Sequence, residues 1–125
     1  MGRIRTNIKI GRRDCWTLFD SGARNTYVIK DVASQLQTFD LDEIEPVRLG
    51  GNTHEITQDC RLICKVEGKP VRVNARVINN IGKDEEGKRI EVLFGALAMQ
   101  EWGIELNLKE EKLDLSHYPK EFIEF

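Results

Sequence analysis

Ile4, Ile8 and Ile10 fall at even positions among polar residues, a period-two pattern that predicts a strand with one buried face. Gly11 to Asp14 supply turn chemistry, and Cys15-Trp16-Thr17-Leu18-Phe19 is an aromatic and β-branched run, so a β-hairpin is expected here. Its second strand ends abruptly at Asp20-Ser21-Gly22-Ala23, small polar residues suited to tight backbone geometry. After a second apolar run, Tyr27-Val28-Ile29, the residues Ile29, Val32, Ala33 and Leu36 follow the spacing of one helical face. A helix of about two turns is expected over Ile29 to Gln37. The acidic stretch from Gln37 to Glu45 reads as a turn, and Pro46 opens an extended segment at an edge, because proline cannot donate to a central ladder. Val47 to Leu49 and Thr53 to Thr57 then flank Gly50-Gly51-Asn52 as a projecting hairpin with a mobile tip.

A further hairpin follows, with Leu62, Cys64 and Val66 on one strand face, a turn at Glu67-Gly68-Lys69, and Val71, Val73, Ala75 and Val77 on the returning face. Gly82 to Arg89 is a charged loop, and Ile90 to Phe94 is a short strand running into Gly95. Ala96 to Trp102 are good helix formers, and Gly103 suits the position just past a helix. Ile104 to Leu108 and Leu113 to Leu115 alternate around a charged turn, so a C-terminal hairpin is expected. The aromatic tail Tyr118 to Phe125 is a last strand or an extension. The fold class is therefore mainly β with two short helices.

Composition narrows the function. A chain of 125 residues fits a single domain. Its 19 basic and 21 acidic residues give a net charge of -2 with no long block of one sign, which argues against nucleic acid as a partner. No window approaches the roughly 18 apolar residues of a membrane span, and no signal-peptide stretch is present, so a soluble, cytoplasmic chain is expected. Met1-Gly2 with Thr6 fits a loose acylation pattern, but the strand alternation is the preferred reading. Cys15, Cys60 and Cys64 cannot all pair within one chain, which points to reduced thiols. Cys60 and Cys64 would stand roughly 13 Å apart along a strand, too far for a disulfide or a shared metal ion. His54 and His117 lack neighbours at ligand spacing, so no metal site is expected.

The segment Asp20-Ser21-Gly22-Ala23, preceded by apolar Leu18-Phe19 and followed by Thr26-Tyr27-Val28, resembles the active-site segment of the retropepsin-like aspartic proteases. The order of parts is also similar: strand, Asp-Ser-Gly-Ala, glycine-tipped hairpin, core hairpin, then Leu93-Phe94-Gly95 opening a helix. The likeness spans roughly Ile8 to Leu115 and is closer to the bacterial and retrotransposon-like branch, because of the helix expected after Ile29. It implies a small, closed β-barrel subunit with a flap, paired into a two-fold homodimer. Two departures stand out. Arg24 occupies a position where viral members usually carry aspartate, and Ala96 one where they often carry arginine.

What the resemblance implies chemically suits these residues. Two carboxylates too close to ionise together share one proton, so one acts as base on a water and the other as acid toward the scissile carbonyl. No metal, cofactor or covalent intermediate is needed. Asp14, Asp31, Asp40, Asp42, Asp59, Asp84 and Asp114 all lack the following Ser-Gly pair, so one chain holds half of such a site and a homodimer would supply the rest. Asp20 is then the catalytic carboxylate, with Ser21 bonding across the two-fold axis, and Gly22, Thr26 and Gly95 supporting the loop. Gly22, Ala23, Arg24, Asn25, Gly50, Gly51 and Asn52 would line the path of an extended peptide or protein substrate, bound by strand addition.

Plainer readings stay open at this level. Asp-Ser-Gly is also a common turn in which the aspartate bonds its own backbone, and Gly50-Gly51 is also an ordinary hairpin turn. A non-catalytic dimerisation or peptide-binding module would keep the same pattern.

Overall fold

A computed structural model describes residues 2–124. The expected first hairpin is present: β1 (Arg3–Ile10) pairs antiparallel with β2 (Arg13–Asp20), from Ile10 opposite Arg13 to Arg3 opposite Asp20. β3 (Tyr27–Ile29) runs into α1 (Lys30–Ala33), and then come β4 (Gln37–Leu49), β5 (Asn52–Val66) and β6 (Lys69–Ile78). β7 (Val92–Phe94) leads into α2 (Ala96–Trp102), and β8 (Glu105–Asn107) with β9 (Lys112–Asp114) forms the C-terminal hairpin. The molecule is mainly β, as the alternation implies.

Seven strands form one sheet in the order β1-β2-β7-β3-β6-β5-β4. A single residue pair, Lys9 with Lys65, also joins β1 to β5. β7 lies parallel to β2 and antiparallel to β3, so a three-residue strand ties the segments before and after the Asp-Ser-Gly-Ala loop to α2. Strict alternation on β5 buries Ile56, Cys60, Leu62, Cys64 and Val66 against Val71, Ala75 and Val77 of β6. Phe19 and Phe94 meet across the β2–β7 pair with ring centroids 4.8 Å apart, and both are fully buried.

Three sequence expectations are corrected. The helix expected over Ile29–Gln37 is only one turn, Lys30–Ala33, with no side-chain cap at Ile29. A nucleus that short gains little from its own hydrogen bonds, and the apolar spacing is met by burying Val32 and Ala33 in that single turn. The acidic stretch 37–45 is strand, not turn. It pairs with β5 on both sides of an irregularity between Asp40 and Glu45, and carries its charges because β4 is an edge with mostly exposed side chains. Third, the return of the projecting hairpin and the first core strand are one continuous 15-residue strand, β5. The tail forms no strand through residue 124. Tyr118 instead stacks on Trp102 at 5.9 Å and donates to the Pro70 carbonyl. Phe125 lies outside the described residues. Among the described residues no helix is long and apolar enough to cross a membrane.

All three cysteines are buried and unpaired with one another. Burial pushes the Cys15 and Cys60 thiols up from 9.0 to about 11, and Cys64 to about 12. Below pH 9 the folded and unfolded chains hold these protons alike. Above it the unfolded chain releases protons that the folded chain retains, so stability falls between pH 9 and about 11. Urea titrations at pH 7.5 and pH 10 are expected to give a lower midpoint at the higher pH, and Cys60→Ala with Cys64→Ala is expected to shrink the difference.

Candidate active site

Asp20 stands at the last position of β2, held on one side by β1 and one residue beyond the β2–β7 pairing on the other. It is 7% exposed, the only buried carboxylate among the described residues. The chain turns sharply after it: Asp20 Oδ1 accepts from the Gly22 amide at 2.8 Å, and the Asp20 carbonyl accepts from the Ala23 amide at 3.2 Å. That turn leaves Oδ2 to face Arg3, whose Nε lies 3.2 Å away. Ser21 is tied to the chain start, receiving the Gly2 amide on Oγ at 2.8 Å and donating its own amide to the Gly2 carbonyl at 3.0 Å.

The loop is seated on the beginning of α2. Ala96 and Leu97 donate their amides to the carbonyls of Ala23 and Arg24 at 2.7 and 3.1 Å, which satisfies donors that a helix start cannot pair internally. The Gly95 amide is met by the buried hydroxyl of Thr26 at 3.1 Å. A Cβ on Gly95 would stand 2.2 Å from the Asn25 carbonyl oxygen, so only glycine permits this approach. Asn25 thus contributes through its backbone.

A cleft of about 500 Å³ brings Asp20, Gly22, Ala23 and Arg24 together with Leu49 and Gly50 of the β4–β5 hairpin tip. That tip is a two-residue turn, Leu49 pairing with Asn52, with φ of 58° at Gly50 and 83° at Gly51. Positive φ at both central residues is the turn that matches strand twist, which explains the paired glycines. Gly51 and Asn52 stand at the tip but not in the cleft lining, and neither do Ser21, Asn25, Thr26 or Gly95.

The cleft also holds residues that the sequence did not mark as lining the site. Tyr27, Ile81 and Leu93 form apolar wall, and Arg3, Arg48 and Lys83 add positive charge. A signal for Arg3 existed: a turn centred on Gly11-Arg12 sets a register that places Arg3 opposite Asp20. Lys83 had none, since it reaches the cleft only through the folding of the 79–91 loop. Asp84 organises that loop. Its carboxylate accepts from the Lys88 and Glu86 amides and from Trp16 Nε1, which together hold it below the usual carboxylate range. No group of three or more metal-ligating side chains gathers among the described residues.

Solved structures of low sequence identity share this fold. The retroviral protease-like domain of Ddi1 from Leishmania major superposes with a TM-score of 0.65 at 17% identity, over 93% of this chain and 90% of that one. The EIAV protease, solved with the inhibitor HBY-793, gives 0.61 at 15% identity over 86% and 94%. A retropepsin-like aspartic protease from Rickettsia conorii gives 0.52 at 18% identity, over 85% of each chain. No protein-family model matches the chain, and no curated protein sequence matches it significantly. The fold is therefore retropepsin-like, in agreement with the resemblance read from Asp20-Ser21-Gly22-Ala23 and Leu93-Phe94-Gly95.

The seat of the loop can be tested at Thr26. Thr26→Val leaves the buried Gly95 amide without a partner and is expected to cost about 1–3 kcal/mol of unfolding free energy. Thr26→Ser keeps the hydroxyl and is expected to lose less, as read by chemical denaturation of the three proteins side by side.

Proposed function

We propose that this chain is one subunit of a homodimeric aspartic endopeptidase in which Asp20 from each subunit shares a single proton. The observation that supports this reading most is the shared cleft. Asp20, a nearly buried carboxylate at a strand end, faces the same cavity as the glycine-tipped hairpin, in a retropepsin-like fold. In this reading the chain is one domain, the β1–β5 contact closes a small barrel, and a two-fold axis passes beside Asp20.

The chemistry then uses the chain's own groups. The ionised Asp20 takes a proton from a water that adds to the scissile carbonyl, while its protonated mate donates to the carbonyl oxygen. Collapse of the tetrahedral intermediate returns that proton to the carboxylate pair and delivers the other to the departing amine. Ser21 bonds across the axis, Gly22 and Ala23 leave room for an extended peptide, and the Gly50-Gly51-Asn52 tip closes over it and excludes water. Arg24 lies in the cleft, and the cation paired with Asp20 is Arg3 instead.

That ion pair favours a second reading, a peptide-binding module without catalysis, because Arg3 occupies one of the two carboxylate oxygens the reaction needs. Its side chain is 64% exposed, however, against 10% for Asp20, so Arg3 can swing into solvent without being buried unpaired. Substrate can displace it.

Two experiments decide between the readings. Asp20→Asn is expected to abolish cleavage of a mixed peptide library while keeping the sedimentation behaviour of a dimer. A chain that stays monomeric at high concentration, or an active Asp20→Asn variant, would overturn the two-carboxylate mechanism. The pH profile is the other. Cleavage requires one proton in the pair, so the rate is expected to peak in acid and fall about tenfold per unit once that proton is lost toward neutral pH. A flat profile from acid to neutral pH would reject the shared proton.

A further inference from the structure

The geometry points to an acidic substrate: a peptide with apolar side chains at the centre and Asp or Glu side chains to either side. This rests on the protease reading and names the substrate class of the same site. Four cations, Arg3, Arg24, Arg48 and Lys83, line the cleft, and Asp20 is the one carboxylate among its lining residues. They arrive from four separate places: β1, the loop after β2, the flap strand β4 and the 79–91 loop. No charge run in the sequence produces them. The molecule as a whole is net negative at -2, so the concentration of positive charge belongs to the cleft and not to the surface in general.

Nor are these charges already used. Among the described residues, Arg24, Arg48 and Lys83 make no ion pair, and Arg3 makes one, with Asp20 itself. Of the neighbouring acids, Glu85 pairs with Arg5 at 2.8 Å and Asp84 holds Trp16 and loop amides, while Glu86 and Glu111 share a separate pocket with Arg3 and are not in the cleft lining. Glu45, on the flap strand, is taken by Arg76 at 2.7 Å. Leu18, Tyr27, Ile81 and Leu93 give the same cleft an apolar wall, which suits uncharged side chains on the peptide as well. A carboxylate close to Asp20 would be repelled by it, whereas Arg24, Arg48 and Lys83, which line the same cleft and are not paired with Asp20, can each meet one. A two-fold mate would repeat the set on the other half of the cleft. Single-stranded nucleic acid fits less well, since Tyr27, the aromatic of the lining, is buried and offers no stacking face.

The experiment uses the full chain and peptides that share one apolar centre and carry Glu, Gln or Lys at the outer positions. At low salt, Glu-flanked peptides are expected to be cut about tenfold faster in kcat/KM than Gln-flanked ones, the advantage shrinking at high salt as exposed charges are screened. Reversing the charge with Arg48→Glu and Lys83→Glu is expected to move the preference to Lys-flanked peptides, which a purely structural role for these side chains would not do. Equal cleavage of the three classes, or a Lys preference in the unmodified chain, overturns the inference and leaves the protease reading standing. If nothing is cut, anisotropy titrations with the same peptides separate the two. Glu-selective binding keeps the acidic ligand and removes the protease, whereas unselective binding, no binding, or binding only of a single-stranded oligonucleotide overturns the acidic-peptide inference as well.

Discussion

The amides of Gly95, Ala96 and Leu97 open α2 and have no acceptor within their own helix, and the segment from Ala23 to Thr26 supplies all three. Two acceptors are backbone carbonyls and the third is the Thr26 hydroxyl. The Gly95–Thr26 bond is buried, so losing it would leave an unsatisfied donor in the interior, while the other two lie nearer the surface. The arrangement therefore fixes the path of the chain after Asp20 to the position of α2, and α2 to β7, which pairs with both β2 and β3. Asp20 is aimed at the cleft by that chain of constraints. Its own turn bonds, to Gly22 and Ala23, only refine the direction.

Around this rigid seat the molecule is softer. The β4–β5 hairpin projects from the sheet edge on a strand whose side chains are mostly exposed, with Arg76 and Glu45 pairing near its base. Such a segment has few buried contacts to lose, so it belongs to the low-stability end of the structure. A firmly held carboxylate and a projecting hairpin are two demands on one small core. The sheet order meets them by placing β2 and β7 well inside and β4 at the rim.

The charges of the cleft illustrate how topology creates a property that composition conceals. With 19 basic and 21 acidic residues, the chain is near neutrality overall. Acidic side chains along the exposed β4 edge and basic ones inside the cleft nonetheless separate the two signs in space. A field of this kind steers and selects ligands more than it stabilises the fold.

Much of this was legible in the residues. Alternation located β1, β6 and the C-terminal hairpin because a half-buried sheet repeats every second side chain, and the aromatic and β-branched run Cys15 to Phe19 marked β2. Asp20-Ser21-Gly22-Ala23 and Leu93-Phe94-Gly95 carried the family likeness, since small residues in that order are required where two backbones approach closely. The helix after Ile29 was overread because i, i+3, i+4 spacing is also satisfied by one turn packed on a sheet. The acidic 37–45 segment was misread because an edge strand need not alternate. By itself the sequence determined a mainly β chain, the displayed aspartate and the glycine-tipped hairpin, all local consequences of side-chain size and period. Only the tertiary structure decided that Thr26 holds Gly95 and that Arg48 and Lys83 converge on one cleft. Those pairs lie far apart in the chain, and strand register, with the β7 crossover, is what brings them together.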